Sequence, residues 1–264
     1  MCTVSLVVRS GGYLLAMNRD ERIARGPGSP PKLSSVSGIA MVFPSEPGGG
    51  TWIGANQNGL TLALLNWNDL PPEPADPMVV RQSRGIVIPQ LIGSQTATEL
   101  RFRLRALQLA GCAPFRLAAI LGHERQVFEA WWNGRRLTCE PAGWNSRHWF
   151  SSSLSDSEAQ TLRGAACAHA WNASDAGSVA WLRRLHASHG HGLSPFSICV
   201  HRESVATLSY TEVACTTDRI CLRHSVGNPC QPSESHTLEL RRIDSGFCSL
   251  LAILPHVCEV QHVG

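Results

Sequence analysis

The sequence predicts an α+β fold in four layers, αββα, with two packed sheets and helices on their outer faces. The order of its segments is the first observation: strand-like runs, helix-like runs, strands, helices, then strands again. Size and composition are the second. The chain has 264 residues, 43% of them hydrophobic, which is ample for one large core, and it shows no internal repeat. One domain over residues 1–240 and a C-terminal extension over 241–264, apolar with no clear period, account for the chain.

The first strand is expected at residues 1–9, where Thr3-Val4-Ser5-Leu6-Val7-Val8 alternates and is rich in β-branched side chains. Ser10-Gly11-Gly12 signals a turn, and a second strand runs over 13–19. A two-residue Gly11-Gly12 turn pairs Ser10 with Tyr13. Cys2 then lies across from Glu21 and Val4 across from Arg19, with Cys2 and Arg19 on one face. Asp20 joins them only if the strand ends or bulges near Asn18. Residues 25–31, rich in Gly and Pro, read as a loop. Strands follow at 38–43, 51–55 and 60–66, and the Pro-rich run 70–74 closes this stretch.

Residues 84–92 are apolar on one side, and 97–109 repeat Leu at helical spacing. Strands return at 115–121, 126–132, 135–140 and 148–152. Helices are expected at 157–170 and 176–187, and the last strands at 197–202, 206–213 and 220–224.

Composition excludes several classes. The net charge is +3 and Lys is almost absent, so no polybasic surface for nucleic acid is expected. No window approaches about twenty uninterrupted apolar residues, which argues against a transmembrane helix. The N-terminus lacks the basic and long apolar regions of a signal peptide, so a cytoplasmic address is expected. Ten Cys are scattered without a CxxC pair or zinc spacing, and read as reduced thiols. His186, His189 and His191 lack a nearby acidic or thiol ligand and read as a helix C-terminus, so no metal is expected. Gly48-Gly49-Gly50 is not followed by Lys and a helix start, and no cofactor is expected. Ser151-Ser152-Ser153 lacks the flanking Gly of a nucleophile elbow.

Chemistry points to Cys2. Removal of Met1 would leave one residue carrying a thiol and a free α-amino group. The amine, with a pKa of about 7.7–8.0, is a ready general base for a thiol of about 8.5. An Arg beside that thiol favours thiolate, and a carboxylate beside the amine orients it. Plainer readings stand beside these: Cys2 as a buried thiol, residues 18–21 as a solvated strand end, and Asn66 as a turn residue closing a strand.

Met1-Cys2, Asn18-Arg19-Asp20-Glu21, Gly49-Gly50-Thr51-Trp52-Ile53-Gly54 and Gly59-Leu60 through Leu65-Asn66 arrive in this order. That series resembles the NRDE family, also called the transport and Golgi organisation protein 2 family. The likeness is strong over residues 1–70 and weaker near 147–155 and 196–212. The family in turn looks like a branch of the N-terminal nucleophile hydrolases, which include bile-salt hydrolases and penicillin V acylases. The resemblance implies Cys2 as nucleophile, Arg19 and Asp20 around its thiol and amine, and Asn66 as an oxyanion donor. Asn18, Ser151 and Ser152 are further oxyanion or substrate candidates.

The expected activity is hydrolysis of a linear amide C–N bond through an acyl-thioester on Cys2, with a small-molecule amide or acyl ligand as partner. Three departures leave a non-hydrolytic role open, and the last two motivate a second reading, a non-catalytic protein that binds or traffics an acyl or other lipophilic ligand. Arg19 and Asp20 are adjacent, where the bile-salt hydrolase pattern separates the pair by two residues. Ser151-Ser152-Ser153 stands where that pattern has an Asn, and Leu193-Ser194-Pro195-Phe196 stands where it has an Arg.

Overall fold

The computed structural model describes residues 2–70, 80–190 and 192–243. Its strands are β1 (Cys2–Arg9), β2 (Gly12–Arg22), β3 (Ser29–Val36), β4 (Ile39–Ser45), β5 (Ile53–Asn56) and β6 (Leu60–Asn66). Helices α1 (Val87–Leu91) and α2 (Ala97–Ala106) follow, then β7 (Phe115–Leu121), β8 (Gln126–Trp132), β9 (Leu137–Ala142) and β10 (Arg147–Ser151). The last elements are α3 (Asp156–Ala170), α4 (Val179–Ala187), β11 (Val205–Cys215), β12 (Arg219–Val226) and β13 (Ser235–Arg241).

These build two antiparallel sheets. One has six strands in the order β10-β1-β2-β11-β12-β13, the other seven in the order β3 through β9. Strand alternation sorts the side chains into three apolar layers. Between the sheets, Val4, Leu6, Leu15 and Met17 meet Ala63, Leu65, Ala118 and Ile120. Outside the seven-stranded sheet, Leu60, Leu62 and Leu117 pack on Ile88, Leu91 and Leu100 of α1 and α2. Outside the six-stranded sheet, Val7, Leu14 and Phe150 pack on Ala159 of α3 and on Trp181 and Leu185 of α4. The four expected layers are therefore present.

The first hairpin differs from expectation by two residues. Its turn is Ser10-Gly11, Arg9 pairs with Gly12, and Cys2 lies directly across from Arg19. Gly12 is held at φ +149°, and a Cβ there would stand 1.9 Å from the carbonyl oxygen of Cys215. The passage of β11 beside the hairpin thus dictates where the glycine sits. A two-residue shift keeps every side chain on its face, so Cys2 and Arg19 still project together.

Residues 25–31 are not all loop, because β3 begins at Ser29 and carries Pro30 and Pro31. As an edge strand it tolerates residues without an N–H, and its pairing to β4 slips between Ser29 and Lys32. Strand β13, over a polar run, was also missed. Residues 197–202 form no strand, only an isolated bridge between His201 and Ala206. Helix 84–92 shortens to a 3₁₀ turn at Arg84–Ile86 followed by α1. Most of the Pro-rich run 70–74 and the extension from residue 244 onward lie outside the described residues.

Candidate active site

Cys2 opens β1, which is flanked on both sides, pairing with Arg19 of β2 and with Ser151 of β10. Opposed residues share a face, so all three side chains point between the sheets. Cys2 is only 5% exposed. Burial pushes its thiol above the ordinary cysteine range, and the nearby Asp20 carboxylate adds to this. The Arg19 guanidinium and a hydrogen bond from the backbone N–H of Asp20 pull the other way.

Arg19 is buried and sits over Trp52, its guanidinium carbon 4.5 Å from the ring centre. It donates to the carbonyl of Gly26 at 2.9 Å and to Oε1 of Glu46 at 2.6 Å. Arg25 completes the cluster by pairing with Glu46 and, at 2.9 Å, with Glu21. These contacts fix the guanidinium on the inter-sheet side.

Asp20 faces the other way, toward the helices. Thr207 Oγ1 donates to its Oδ1 at 2.7 Å, and Nη2 of Arg163 lies 3.4 Å from Oδ2. Burial raises the Asp20 pKa, and Arg163 and Thr207 hold it down. Alternation alone puts Arg19 and Asp20 on opposite faces of β2, and β11 carries an extra residue, Leu208, between Thr207 opposite Asp20 and Ser209 opposite Arg19.

Arg163 was not anticipated. It sits on the buried stripe of α3, four residues from both Ala159 and Cys167, and is itself 1% exposed. A charge at helical spacing from Ala159 and Cys167 is the signal that marks it. Its Nη1 donates to Thr3 Oγ1 at 2.9 Å, to the carbonyl of Cys2 at 3.3 Å and to the carbonyl of Ser151 at 3.4 Å. Arg84 and Arg116 also stand near: burial lowers their pKa, and the charge of a Cys2 thiolate is among the influences that oppose it. Several guanidiniums thus stand around Cys2, although Arg19, Arg163 and Arg116 each also face a carboxylate.

Ser151 lies directly across from Cys2, and its buried hydroxyl has no hydrogen-bond partner among the described residues. Ser152 is engaged structurally, its backbone N–H donating to Asp156 Oδ1 at 2.6 Å and its hydroxyl accepting from Leu154. Asp156 also accepts from the backbone N–H of Asn68 at 2.7 Å, tying the end of β6 to the end of β10.

Two expected donors are placed differently. Asn18 pairs with Thr3 on the helix side of its sheet and gives both amide hydrogens away, to the carbonyls of His186 at 2.8 Å and Ile198 at 2.9 Å. No donor is left on it for substrate. Asn66 pairs with Phe115, which packs under α1 and α2, so alternation gives Asn66 the outer face. The inward position at this strand end belongs to Arg116, opposite Leu65, which donates to the carbonyl of Phe150 in the other sheet.

His186 is no cationic helix terminus. It is buried, bonds Ser5 Oγ at 2.9 Å and Asn18 Oδ1 at 3.0 Å, and burial lowers its pKa to about 3. His189 instead meets Cys199, His201 and Cys230, a grouping that no short spacing announces. A cavity of about 270 Å³ lined by Arg9, Gly12, His123, Arg125 and Trp144 opens at the hairpin turn, the opposite end from Cys2.

A family model described as Transport and Golgi organisation 2 matches residues 1–202. The chain belongs to this family. No curated protein matches it in sequence. Among solved structures, it is similar to penicillin V acylase from Agrobacterium tumefaciens, with 11% identity, TM-score 0.50, and 91% of this chain and 86% of that one covered. It is also similar to the C2A mutant of conjugated bile acid hydrolase from Clostridium perfringens, with 10% identity, TM-score 0.52, and 91% and 92% covered. At that identity the likeness speaks for the fold: this Transport and Golgi organisation 2 member has the N-terminal nucleophile hydrolase fold. No helix among the described residues is long and apolar enough to cross a membrane.

Proposed function

We propose that the protein is an amidohydrolase that cleaves a linear C–N amide bond through an acyl-thioester on Cys2. The supporting observation is the placement of Cys2 at the start of an inner strand, sharing one face with the fixed guanidinium of Arg19 and the unpartnered hydroxyl of Ser151. Met1 must be removed first, which frees the Cys2 amine. That amine takes the thiol proton as Sγ attacks the carbonyl carbon, and returns it to the nitrogen as the C–N bond breaks. Water, deprotonated by the same amine, then cleaves the thioester and releases the acid.

Ser151 is the favoured side-chain donor to the oxyanion, since its hydroxyl faces the Cys2 side and has no other partner among the described residues. Asn66 is the second candidate, less favoured because its strand position turns it outward. Arg19 holds the thiol's charge state, and Asp20, locked between Thr207 and Arg163, positions the first residue from behind.

The test is acylation of the full chain, with intact mass measured before and after exposure to an N-acyl amide panel that includes penicillin V and a conjugated bile acid. The expected result is a chain lacking Met1 that gains one acyl group, and a Cys2→Ala variant of unchanged fold that gains none. Equal acylation of Cys2→Ala, or retention of Met1 in active protein, overturns the mechanism.

The near-complete burial of Cys2 and its raised pKa favour a second reading, a pocket protein that binds or traffics an acyl or lipophilic ligand without cleaving it. Alkylation separates the two. A catalytic Cys2 reacts faster than the other thiols, whereas a binding protein holds a long-chain acyl ligand with Cys2 unreactive.

A further inference from the structure

We propose that His189, Cys199, His201 and Cys230 form a structural zinc site that pins the segment between α4 and β11 to the loop after β12. The donor atoms of the four side chains all lie within 4.8 Å of one another. Nε2 of His201 is 3.4 Å from the Cys199 sulfur and 3.3 Å from the Cys230 sulfur, and the His189 and His201 rings are 5.1 Å apart. A tetrahedron with Zn–S bonds of about 2.3 Å and Zn–N bonds of about 2.0–2.1 Å has edges of roughly 3.3–3.8 Å. The cluster needs little contraction to reach that.

A second observation points the same way. Nε2 of His189 is buried and has no hydrogen-bond partner among the described residues. A buried acceptor or donor left unmade is costly, and a metal ion at the centre of this group supplies its partner. Two thiolates and two imidazoles form a closed, borderline-soft set that suits Zn²⁺ and leaves no open position for catalysis. On binding, the two thiols give their protons to solvent, and Zn²⁺ accepts electron pairs from two sulfurs and two nitrogens.

The segment has mechanical work to do. The backbone N–H of Cys199 donates to the carbonyl of Ser188 at 2.9 Å, and that of Val200 donates to Thr207 Oγ1 at 2.8 Å. The same Thr207 hydroxyl donates to Asp20. A metal at Cys199 and His201 therefore holds in place the residues that support Asp20. The inference does not depend on the hydrolase reading, since none of its four residues takes part in that chemistry.

The test uses the full chain, purified under reducing conditions without chelator and loaded with zinc alone, then with cobalt as a spectroscopic substitute. The expected result is one zinc per chain by metal analysis, a rise in Tm on loading, and the intense visible bands of tetrahedral thiolate-bound cobalt. Cys230→Ser, on a half-buried loop, should weaken zinc binding by roughly 100-fold or more and abolish the Tm response. Cys199→Ser should do the same, and if that variant does not fold, Cys230→Ser and His189→Gln carry the test. Absence of stoichiometric zinc, binding unchanged in Cys230→Ser, or a Cys199–Cys230 disulfide in the reduced preparation overturns the proposal.

Discussion

Arg163, on a helix of the outer layer, donates to the main-chain oxygen of Cys2 across 3.3 Å of buried space. The same guanidinium faces the Asp20 carboxylate and the carbonyls of Ser151 and Phe196. Helix α3 is thereby tied by hydrogen bonds to the backbone of the candidate nucleophile.

Arg163→Met should destabilise the protein by about 3–5 kcal/mol, because it leaves the Asp20 carboxylate buried without its cation. Adding Asp20→Asn should recover part of that loss, since the stranded charge is gone. Urea unfolding of both variants measures this. A loss below about 1 kcal/mol for the single variant would show that the pair carries no structural weight.

Stability should fall with acid below about pH 6.5. Burial lowers the pKa of His186 to about 3 and those of His148 and His224 to about 4. An unfolded His titrates near 6.5, so between there and about 4 the unfolded chain binds protons that the folded chain refuses. Folding free energy is fully present above that window and is lost as pH drops through it, on the order of 3 kcal/mol from His148 alone. Asp20, with its raised pKa, works in the opposite sense at the acid end. Urea midpoints at about pH 7.5, about 6 and about 5 should decrease in turn. His186→Gln should flatten the slope, and an unchanged slope would clear this residue of the effect.

Gly12→Ala should cost at least about 2 kcal/mol, because the added carbon meets the Cys215 carbonyl at 1.9 Å. Gly11→Ala next to it meets nothing within 4 Å and should stay within about 0.5 kcal/mol of the parent. Thermal unfolding of the pair checks the hairpin register directly, since a Gly11-Gly12 turn would not single out Gly12.

Arg19→Gln should slow alkylation of Cys2 and push its apparent pKa further up, because a cation that stabilises the thiolate is removed. The pH profile of iodoacetamide modification, read at Cys2 by peptide mass, reports both. An unaltered profile would place the thiol beyond the reach of that guanidinium.

Much of this was legible in the sequence, for identifiable reasons. Cys2 and Arg19 share a face whether the turn is Gly11-Gly12 or Ser10-Gly11, since a slip of two residues preserves the alternation. The exact partner was not legible, because it depends on β11, a strand almost two hundred residues away. Strand β3 was hidden by Pro30 and Pro31, whose turn-forming character is harmless only at a sheet edge. Asn66 completes a motif that the sequence shows, but its facing is set by the pairing of β6 with β7, which no local pattern reveals. The group around His201 draws on residues from 189 to 230, too widely spaced for a ligand pattern.

The extra residue in β11 carries a constraint of its own. Residues 205–207 and 209–215 lie in one continuous strand, yet Leu208 puts them out of phase, so that Thr207 faces the helices while Ser209 faces the other sheet. Deleting that single residue would restore even alternation and keep Thr207 opposite Asp20 and Ser209 opposite Arg19, because Leu208 is the one residue of β11 without a counterpart on β2. Tolerance for a change of length is therefore local to residue 208. Leu208 is slack in the strand, whereas one residue removed between Ser209 and Cys215 would use up that slack by turning the side chains in between to the opposite face.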